Sequence, residues 1–151
     1  MVEHYIPTGR WTHFVTGRTL DGPAWVREHY DVSSLPIFVR PGTIVPEDSH
    51  ADSSDYDFAD GVTLRAYELA DGAPVTTEVP DLHGVADSVF AVARTGSSVT
   101  AERTTGTKPW RLMLVNMKTV AGVAGGTAEI TGDGALITPA GGAARVEITL
   151  G

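Results

Sequence analysis

The segment SVFAVARTGSSVTAER, residues 88–103, consists of two short runs in which apolar and polar side chains alternate. Alternation with a period of two is the pattern of a β-strand that buries one face. Thr95-Gly96 separates the two runs, and glycine accepts the positive φ that a tight turn between paired strands requires. The segment therefore predicts a β-hairpin whose strands are Ser88–Arg94 and Ser98–Arg103.

The same period recurs along the rest of the chain, and turn residues interrupt it at intervals of roughly eight to twelve residues. No segment shows the longer period of an amphipathic helix. Besides the hairpin, the predicted strands are Val2–Ile6, Trp11–Val15, Trp25–Glu28, Ile37–Arg40, Thr43–Val45, Val62–Glu68, Pro74–Val79, Trp110–Met117, Ala128–Thr131, Leu136–Thr138 and Arg145–Leu150. Many short strands without helical crossovers indicate an all-β fold, an antiparallel β-sandwich, with a barrel as the alternative.

An acidic segment divides the chain. Residues 47–60, EDSHADSSDYDFAD, contain no Lys or Arg and show no apolar periodicity. Their acidic residues are Glu47, Asp48, Asp52, Asp55, Asp57 and Asp60. Polar, serine-rich stretches of this kind are typical of linkers. We therefore expect a partial first β sheet at residues 1–47, a linker at 48–60 and a larger β-sandwich at 61–151.

The composition disfavours several classes of partner. The formal net charge is -8, and an acidic chain repels a phosphate backbone, so we expect no nucleic-acid partner. The apolar runs are far shorter than the ~20 residues that span a bilayer, and the first residues lack the features of a secretion signal. These patterns predict no membrane association and a cytoplasmic location. Because cysteine is absent, disulfide bonds and Cys-ligated zinc are excluded.

The sequence contains no recognisable metal-binding pattern. An EF-hand loop that started at Asp55 would place Asp57 at its third position. It would also place Ala59 at the fifth position and Asp60 at the sixth, where an oxygen ligand and a glycine are needed. The histidines are dispersed, without the paired spacing of a zinc site: His4, His13, His29, His50 and His83. We therefore assign no metal-binding residue, and we interpret the acidic segment as a solvated linker.

Patterns for catalysis are equally weak. Gly96-Ser97-Ser98 resembles a plain hairpin turn and not the strained elbow of a serine hydrolase. Outside the linker, acids such as Asp71 and Asp133 lie at predicted turns, where they usually cap or solvate a loop. No glycine-rich loop precedes a helix in the manner of a phosphate-binding site. We assign no catalytic or cofactor-binding residue and expect no cofactor.

The aromatic residues concentrate near the amino terminus. Those within the first 40 residues are Tyr5, Trp11, Phe14, Trp25, Tyr30 and Phe38. If several of them lay exposed on one side of a sheet, they would form a sugar-stacking strip. In alternating β patterns, however, large aromatic side chains more often fill the core. We therefore predict that these residues, Trp11 in particular, are core residues that follow a Pro-Thr-Gly turn at residues 7–9.

Two of these segments carry a resemblance to a known family. YIPTGRWTHFVTGRTLDGPAW, residues 5–25, and LPIFVRPGTIVP, residues 35–46, resemble the segment after the catalytic barrel of glycoside hydrolase family 31. The later segments, from residue 54 through PWRLMLVNMKTV to ITPAGGAARVEITL, are similar to the distal C-terminal domain of its bacterial α-xylosidase branch. The resemblance covers essentially the whole chain.

The resemblance implies a non-catalytic role. Members of the family hydrolyse terminal α-xylosyl or α-glucosyl linkages with retention, using two Asp residues on a (β/α)8 barrel, and neither motif is present here. It also implies that the chain starts inside the proximal β domain, so that its first sheet is partial. We therefore expect a structural or assembly region, inactive alone, whose partners are its own catalytic barrel and further copies bound through an exposed β surface. A stand-alone carbohydrate-binding module is the alternative.

Overall fold

The regular secondary structure of the described residues is almost entirely β-strand. The computed structural model describes residues 1–31, 34–49 and 57–151. Its strands are β1 Val2–His13, β2 Thr19–Glu28, β3 Phe38–Val39, β4 Thr43–Glu47, β5 Val62–Tyr67, β6 Val75–Pro80, β7 Ala86–Thr95, β8 Ser98–Thr105, β9 Trp110–Val115, β10 Val120–Ala124, β11 Gly126–Ile130, β12 Gly134–Pro139 and β13 Arg145–Leu150. A single 3-10 turn at Ala140–Gly142 is the only helical element in the described part of the chain. The predicted all-β fold class is confirmed.

Two five-stranded sheets form the sandwich. The β7 sheet has the order β10-β13-β8-β7-β6, and the β9 sheet has the order β11-β12-β9-β5-β4. Their facing side chains form one apolar core, in which Leu64 and Ile137 of the β9 sheet pack with Phe90 and Ile148 of the β7 sheet. Each of these residues is at most 1% exposed. The predicted hairpin is confirmed as β7 and β8, with Thr95 opposite Ser98 at its turn.

The β9 sheet contains a parallel pair that the sequence did not predict. β5 runs parallel to β9, with Leu64 opposite Leu112, whereas every other strand pair is antiparallel in the described part of the chain. β9 is the central strand of this sheet, and its side chains are mostly buried. A strand covered on both faces has a nearly continuous apolar run, as in Trp110–Val115, so its neighbours cannot be inferred from alternation.

The amino-terminal residues form a separate three-stranded sheet, here called the N-terminal sheet, with the order β2-β1-β3. The predicted Pro-Thr-Gly turn is wrong, because β1 continues through these residues as a β-bulge between Ile6 and Gly9. A bulge accommodates Pro7, which has no N–H for the strand ladder. The carbonyl oxygen of Pro7 comes so close to Gly22 that a Cβ there would lie 1.8 Å from it, so β2 needs a glycine at this point.

β4 connects the two parts of the chain. Although it lies in residues 1–47, it pairs with β5 at the edge of the β9 sheet, with Ile44 opposite Ala66. Further contacts hold the N-terminal sheet to the sandwich: the Asn116 side-chain N–H donates to the Gly17 carbonyl at 2.9 Å, and Arg10 lies 3.6 Å from the Glu68 carboxylate. The division into separate units at residues 48–60 stays a prediction.

β10 was missed by the sequence prediction. Its residues are mostly exposed, since it lies at the edge of the β7 sheet and consists of small side chains. Val120 and Val123 pack against the core, but a bulge between Val120 and Gly122 leaves them three residues apart, so the strand shows no alternation to detect. Across the described ranges, no helix is long and apolar enough to span a bilayer.

Candidate functional site

An aromatic pair lies exposed on the outer face of the N-terminal sheet. Tyr5 of β1 and Trp25 of β2 are directly opposite each other, and their ring centroids are 5.4 Å apart. Trp25 is 71% exposed and Tyr5 is 49% exposed. The expectation that both belong to the core is therefore wrong, and it is also wrong for Phe14, which is 41% exposed at the β1–β2 turn.

The opposite face of the N-terminal sheet holds the covered aromatic side chains. Phe38 packs between His4 and His13, with centroid distances of 5.3 Å and 5.1 Å. Tyr30 stacks on His13 with a centroid distance of 6.5 Å. The sequence period placed Tyr5 on the face opposite His4 but could not tell which of the two faces would be covered.

Trp11 is neither as exposed as Trp25 nor part of the covered aromatic group on the opposite face. Its indole is half-buried, and the indole N–H donates to the Pro7 carbonyl at 3.0 Å, which bonds the side chain to the bulge of its own strand. The predicted core role of Trp11 is thus met only in part. The indole holds the bulge in place instead of filling the sandwich core.

A charged group closes the covered side of the N-terminal sheet. The Tyr30 hydroxyl donates to the Glu28 carboxylate at 2.5 Å, and the Arg18 guanidinium forms an ion pair with the same carboxylate at 2.5 Å. The hydrogen bonds from Tyr30 and Arg18 hold the pKa of Glu28 below its ordinary value. Burial and the neighbouring Glu28 raise the pKa of Tyr30. Each charge has a partner, so this group stabilises local structure and offers no free acid or base.

A lysine forms an ion pair near the carboxyl-terminal end of the acidic segment. Lys108 lies 2.6 Å from the Asp57 carboxylate and 3.0 Å from that of Asp87. The hydrogen bond from Lys108 lowers the pKa of Asp57, and the same contact raises the pKa of Lys108. The described ranges contain no group of three or more His, Cys or carboxylate side chains that could hold a metal ion. The candidates His50, Asp52 and Asp55 lie outside the described residues.

The remaining candidates take ordinary structural roles. Asp71 accepts a hydrogen bond from the Gly96 amide at 2.7 Å and so caps the β7–β8 turn, as a turn acid is expected to do. The Ser98 hydroxyl donates to Glu147, with no histidine among its described partners. His13 accepts from the Thr16 amide at 3.3 Å, which closes the turn after β1.

Two acids that are far apart in the sequence meet at one arginine. The Arg65 guanidinium lies 3.1 Å from the Glu47 carboxylate and 3.5 Å from that of Asp133. Its Nε donates to the Tyr67 hydroxyl at 3.2 Å. Neither Arg65 nor Tyr67 was singled out from the sequence, where both are ordinary residues of an alternating strand. Only the pairing of β4 with β5 and the placement of the β11–β12 turn bring the four side chains together.

Comparison with protein families gives two matches that together span most of the chain. Residues 57–150 match the family described as the C-terminal domain of the α-xylosidase YicI. Residues 1–45 match the family described as the glycosyl hydrolase family 31 C-terminal domain. Residues 46–56, between the two matches, overlap the first part of the acidic segment.

A characterised relative has a related sequence. The α-xylosidase XylQ of Lactiplantibacillus pentosus is 31% identical over 98 residues, which are 63% of this chain and 13% of that protein. This chain therefore spans only a small part of the length of its relative.

Solved structures share the fold. A cycloalternan-forming enzyme from Listeria monocytogenes, in complex with a pentasaccharide substrate, matches 99% of this chain and 17% of its own, with a TM-score of 0.73 and 16% identity. A mutant family 31 dextranase from Flavobacterium johnsoniae, complexed with isomaltotriose, matches 97% of this chain and 24% of its own, with a TM-score of 0.68 and 14% identity. At these identities the likeness shows the fold alone.

Proposed function

The chain belongs to the C-terminal region of glycoside hydrolase family 31, and from this premise we propose that it is the non-catalytic β support of a larger α-xylosidase-like enzyme. The match over residues 57–150 and the α-xylosidase relative support this reading. The parent enzyme would hydrolyse terminal α-xylosyl or α-glucosyl linkages with retention, on a catalytic barrel outside this chain. The cytoplasmic location and self-association stay predictions.

We propose that the outer face of the N-terminal sheet packs on that barrel. The observation that carries this proposal is Trp25, which is 71% exposed and contacts Tyr5 in the regularly paired part of β1 and β2 that ends at the bulge after Ile6. Large aromatic side chains bury the most apolar area per residue, and tryptophan and tyrosine are enriched among the residues that carry most of the binding energy of an interface. Glu3 and Arg27, paired at 3.2 Å beside them, provide a polar rim of the kind that surrounds apolar contacts.

The test compares two variants in the longer enzyme that contains this region. Trp25→Ser removes the proposed contact, and Leu82→Ser is the matched control, since Leu82 is 65% exposed on the sandwich, outside the N-terminal sheet. We expect Trp25→Ser, but not Leu82→Ser, to lower the thermal unfolding temperature and the yield of active enzyme, measured with a chromogenic α-xyloside. Equal behaviour of the two variants would contradict the docking proposal.

A second experiment, on this chain alone, tests the alternative that it is a carbohydrate-binding module. Tyr5 and Trp25 are tilted by 53° and do not form one flat platform, which is less favourable for stacking on a sugar chain. We expect titration with xyloglucan oligosaccharides to leave the resonances of both residues unchanged. Binding that Trp25→Ser abolishes would instead establish a carbohydrate-binding module.

A further inference from the structure

A polar cleft lies where the β1–β2 turn meets the end of the β9 sheet. It has a volume of about 290 Å³ and is lined by Phe14, Glu47, Arg65, Tyr67, Asn116 and Asp133, together with neighbouring backbone. This volume is near the lower limit of ligand sites, which begin at about 300 Å³. The cleft therefore has room for one small ring and not for an extended ligand.

Arg65 is fixed at the centre of the cleft. Its side chain is 15% exposed, and three of its neighbours hold it: the Glu47 and Asp133 carboxylates and the Tyr67 hydroxyl. Burial by itself would lower the pKa of Arg65, but the hydrogen bonds with Tyr67 and Glu47 outweigh it and raise the pKa. A guanidinium held in this way is oriented before any ligand arrives, so binding costs little side-chain entropy.

Several hydrogen-bonding positions around Arg65 are unused by the described residues. Glu47 and Asp133 each contact Arg65 through one oxygen, while their side chains remain 48% and 64% exposed. Nε and Nη1 of Arg65 donate to the neighbours named above, whereas Nη2 of its guanidinium has no protein acceptor in the described ranges. Tyr67 is 1% exposed, and its hydroxyl accepts from Arg65 but donates to no described residue. The cleft thus presents free donors and free acceptors side by side.

The charges select against ionic ligands. One guanidinium and two carboxylates leave the cleft with a net charge of -1, which disfavours phosphate and other anions. A metal cation would have to approach the carboxylates next to the fixed Arg65 charge. A neutral polyhydroxylated ring avoids both penalties, because each hydroxyl both donates and accepts.

We propose that this cleft is a binding site for one sugar ring of a neutral saccharide. Adjacent hydroxyls bridge from the carboxylates of Glu47 and Asp133 to the Arg65 fork, and the exposed ring of Phe14 covers the apolar side of the sugar. The site is separate from the aromatic pair of the N-terminal sheet and goes beyond the support role, on which it does not depend.

A structural explanation accounts for part of the cluster. Arg65 joins β5 to β4 and to the β11–β12 turn, and such a link would stabilise that corner of the β9 sheet. This role requires the two ion pairs and the hydrogen bond from Arg65 to Tyr67, but it does not require the open volume beside Phe14.

Titration of the ¹⁵N-labelled chain with D-xylose and D-glucose, up to roughly 100 mM, tests the proposal. We expect saturable shifts at residues 14–17, 65–67 and 132–134, with a Kd in the millimolar range that Asp133→Asn raises roughly tenfold, as the loss of a charge-assisted hydrogen bond predicts. Asp71→Asn is the control, since Asp71 also lies at a turn but caps the β7–β8 turn away from the cleft.

Several results would overturn the sugar assignment. They are an unshifted spectrum with both sugars, shifts confined to the Tyr5 and Trp25 face, or unchanged affinity in Asp133→Asn. Parallel titrations use inorganic phosphate and calcium, and stronger binding of either at the same residues would show an ion site instead. Circular dichroism spectra that match the parent chain establish that Asp133→Asn has kept the fold.

Discussion

Trp25→Ala and Trp110→Ala, made separately, should differ in their cost to the free energy of unfolding, because Trp25 lies on the outer face of the N-terminal sheet and Trp110 lies in the sandwich core. Trp25 is 71% exposed, whereas Trp110 is 3% exposed, packs on Phe90 at 5.3 Å between ring centroids and donates to the Ala143 carbonyl. Full burial of an aromatic side chain removes roughly 200 Å² from water, worth about 5 kcal/mol at 25 cal/mol per Å². Less than a third of Trp25 is covered, so Trp25→Ala should cost about 1–2 kcal/mol, including the lost cross-strand contact with Tyr5.

Trp110→Ala should cost about 3–5 kcal/mol, because a core cavity and an unpaired Ala143 carbonyl add to the lost burial. Urea unfolding followed by far-ultraviolet circular dichroism measures both values, and sedimentation velocity of the same samples reports any self-association. The test depends on the difference in free energy of unfolding between Trp25→Ala and Trp110→Ala. If Trp25→Ala costs as much as Trp110→Ala, the outer face of the N-terminal sheet is covered in solution and is not a free docking surface.

Two further substitutions test particular contacts. Gly134→Ala should destabilise the chain by at least about 1–3 kcal/mol, because Gly134 has a φ of 149° and an added Cβ would lie 2.1 Å from the Leu114 carbonyl oxygen. Thermal unfolding measures the effect. Gly132→Ala is the control and should unfold close to the temperature of the parent chain, because a Cβ at Gly132 would have no neighbouring atom within 4 Å. Lys108→Met should cost about 0.5–1 kcal/mol at pH 7 and progressively less as the pH falls through the lowered, folded-state pKa of Asp57, as read from urea unfolding at each pH. The sign follows from Asp57, since a carboxylate whose pKa is lowered in the folded state contributes stability above its unfolded pKa of roughly 4 and loses it as the pH falls. A cost that persists unchanged at low pH would show that Lys108 acts through packing.

The strands that could be predicted from the sequence are those with one buried face. β7 and β8 alternate clearly, and their turn carries Gly96 at a φ of 57°. β10 could not be predicted, because most of its residues are small and exposed and its two core-facing valines, Val120 and Val123, are three residues apart. Pro7 and Gly9 are typical of both a turn and a bulge, so the sequence predicts a turn where β1 has a bulge, and only the pairing of Gly9 with Gly22 distinguishes the two.

The candidate sites were less accessible to sequence reasoning than the fold. The acids of residues 47–60 were recognised as a group, yet the contacts that matter join Glu47 to Asp133 through Arg65 and Asp57 to Asp87 through Lys108. These partners are separated by tens of residues along the chain. Their meeting depends on strand order, which a single sequence does not encode locally.

The all-β fold and the resemblance to family 31 can be predicted from the sequence, because hydrophobic period, turn residues and ordered motifs are local properties of the chain. Which face of each strand is covered becomes clear only in the folded protein. Alternation assigns Tyr5 and His4 to opposite faces of β1, but whether a face meets solvent depends on which segments fold over it. In the N-terminal sheet, Tyr30 and Phe38 cover the His4 face and leave Trp25 in the open.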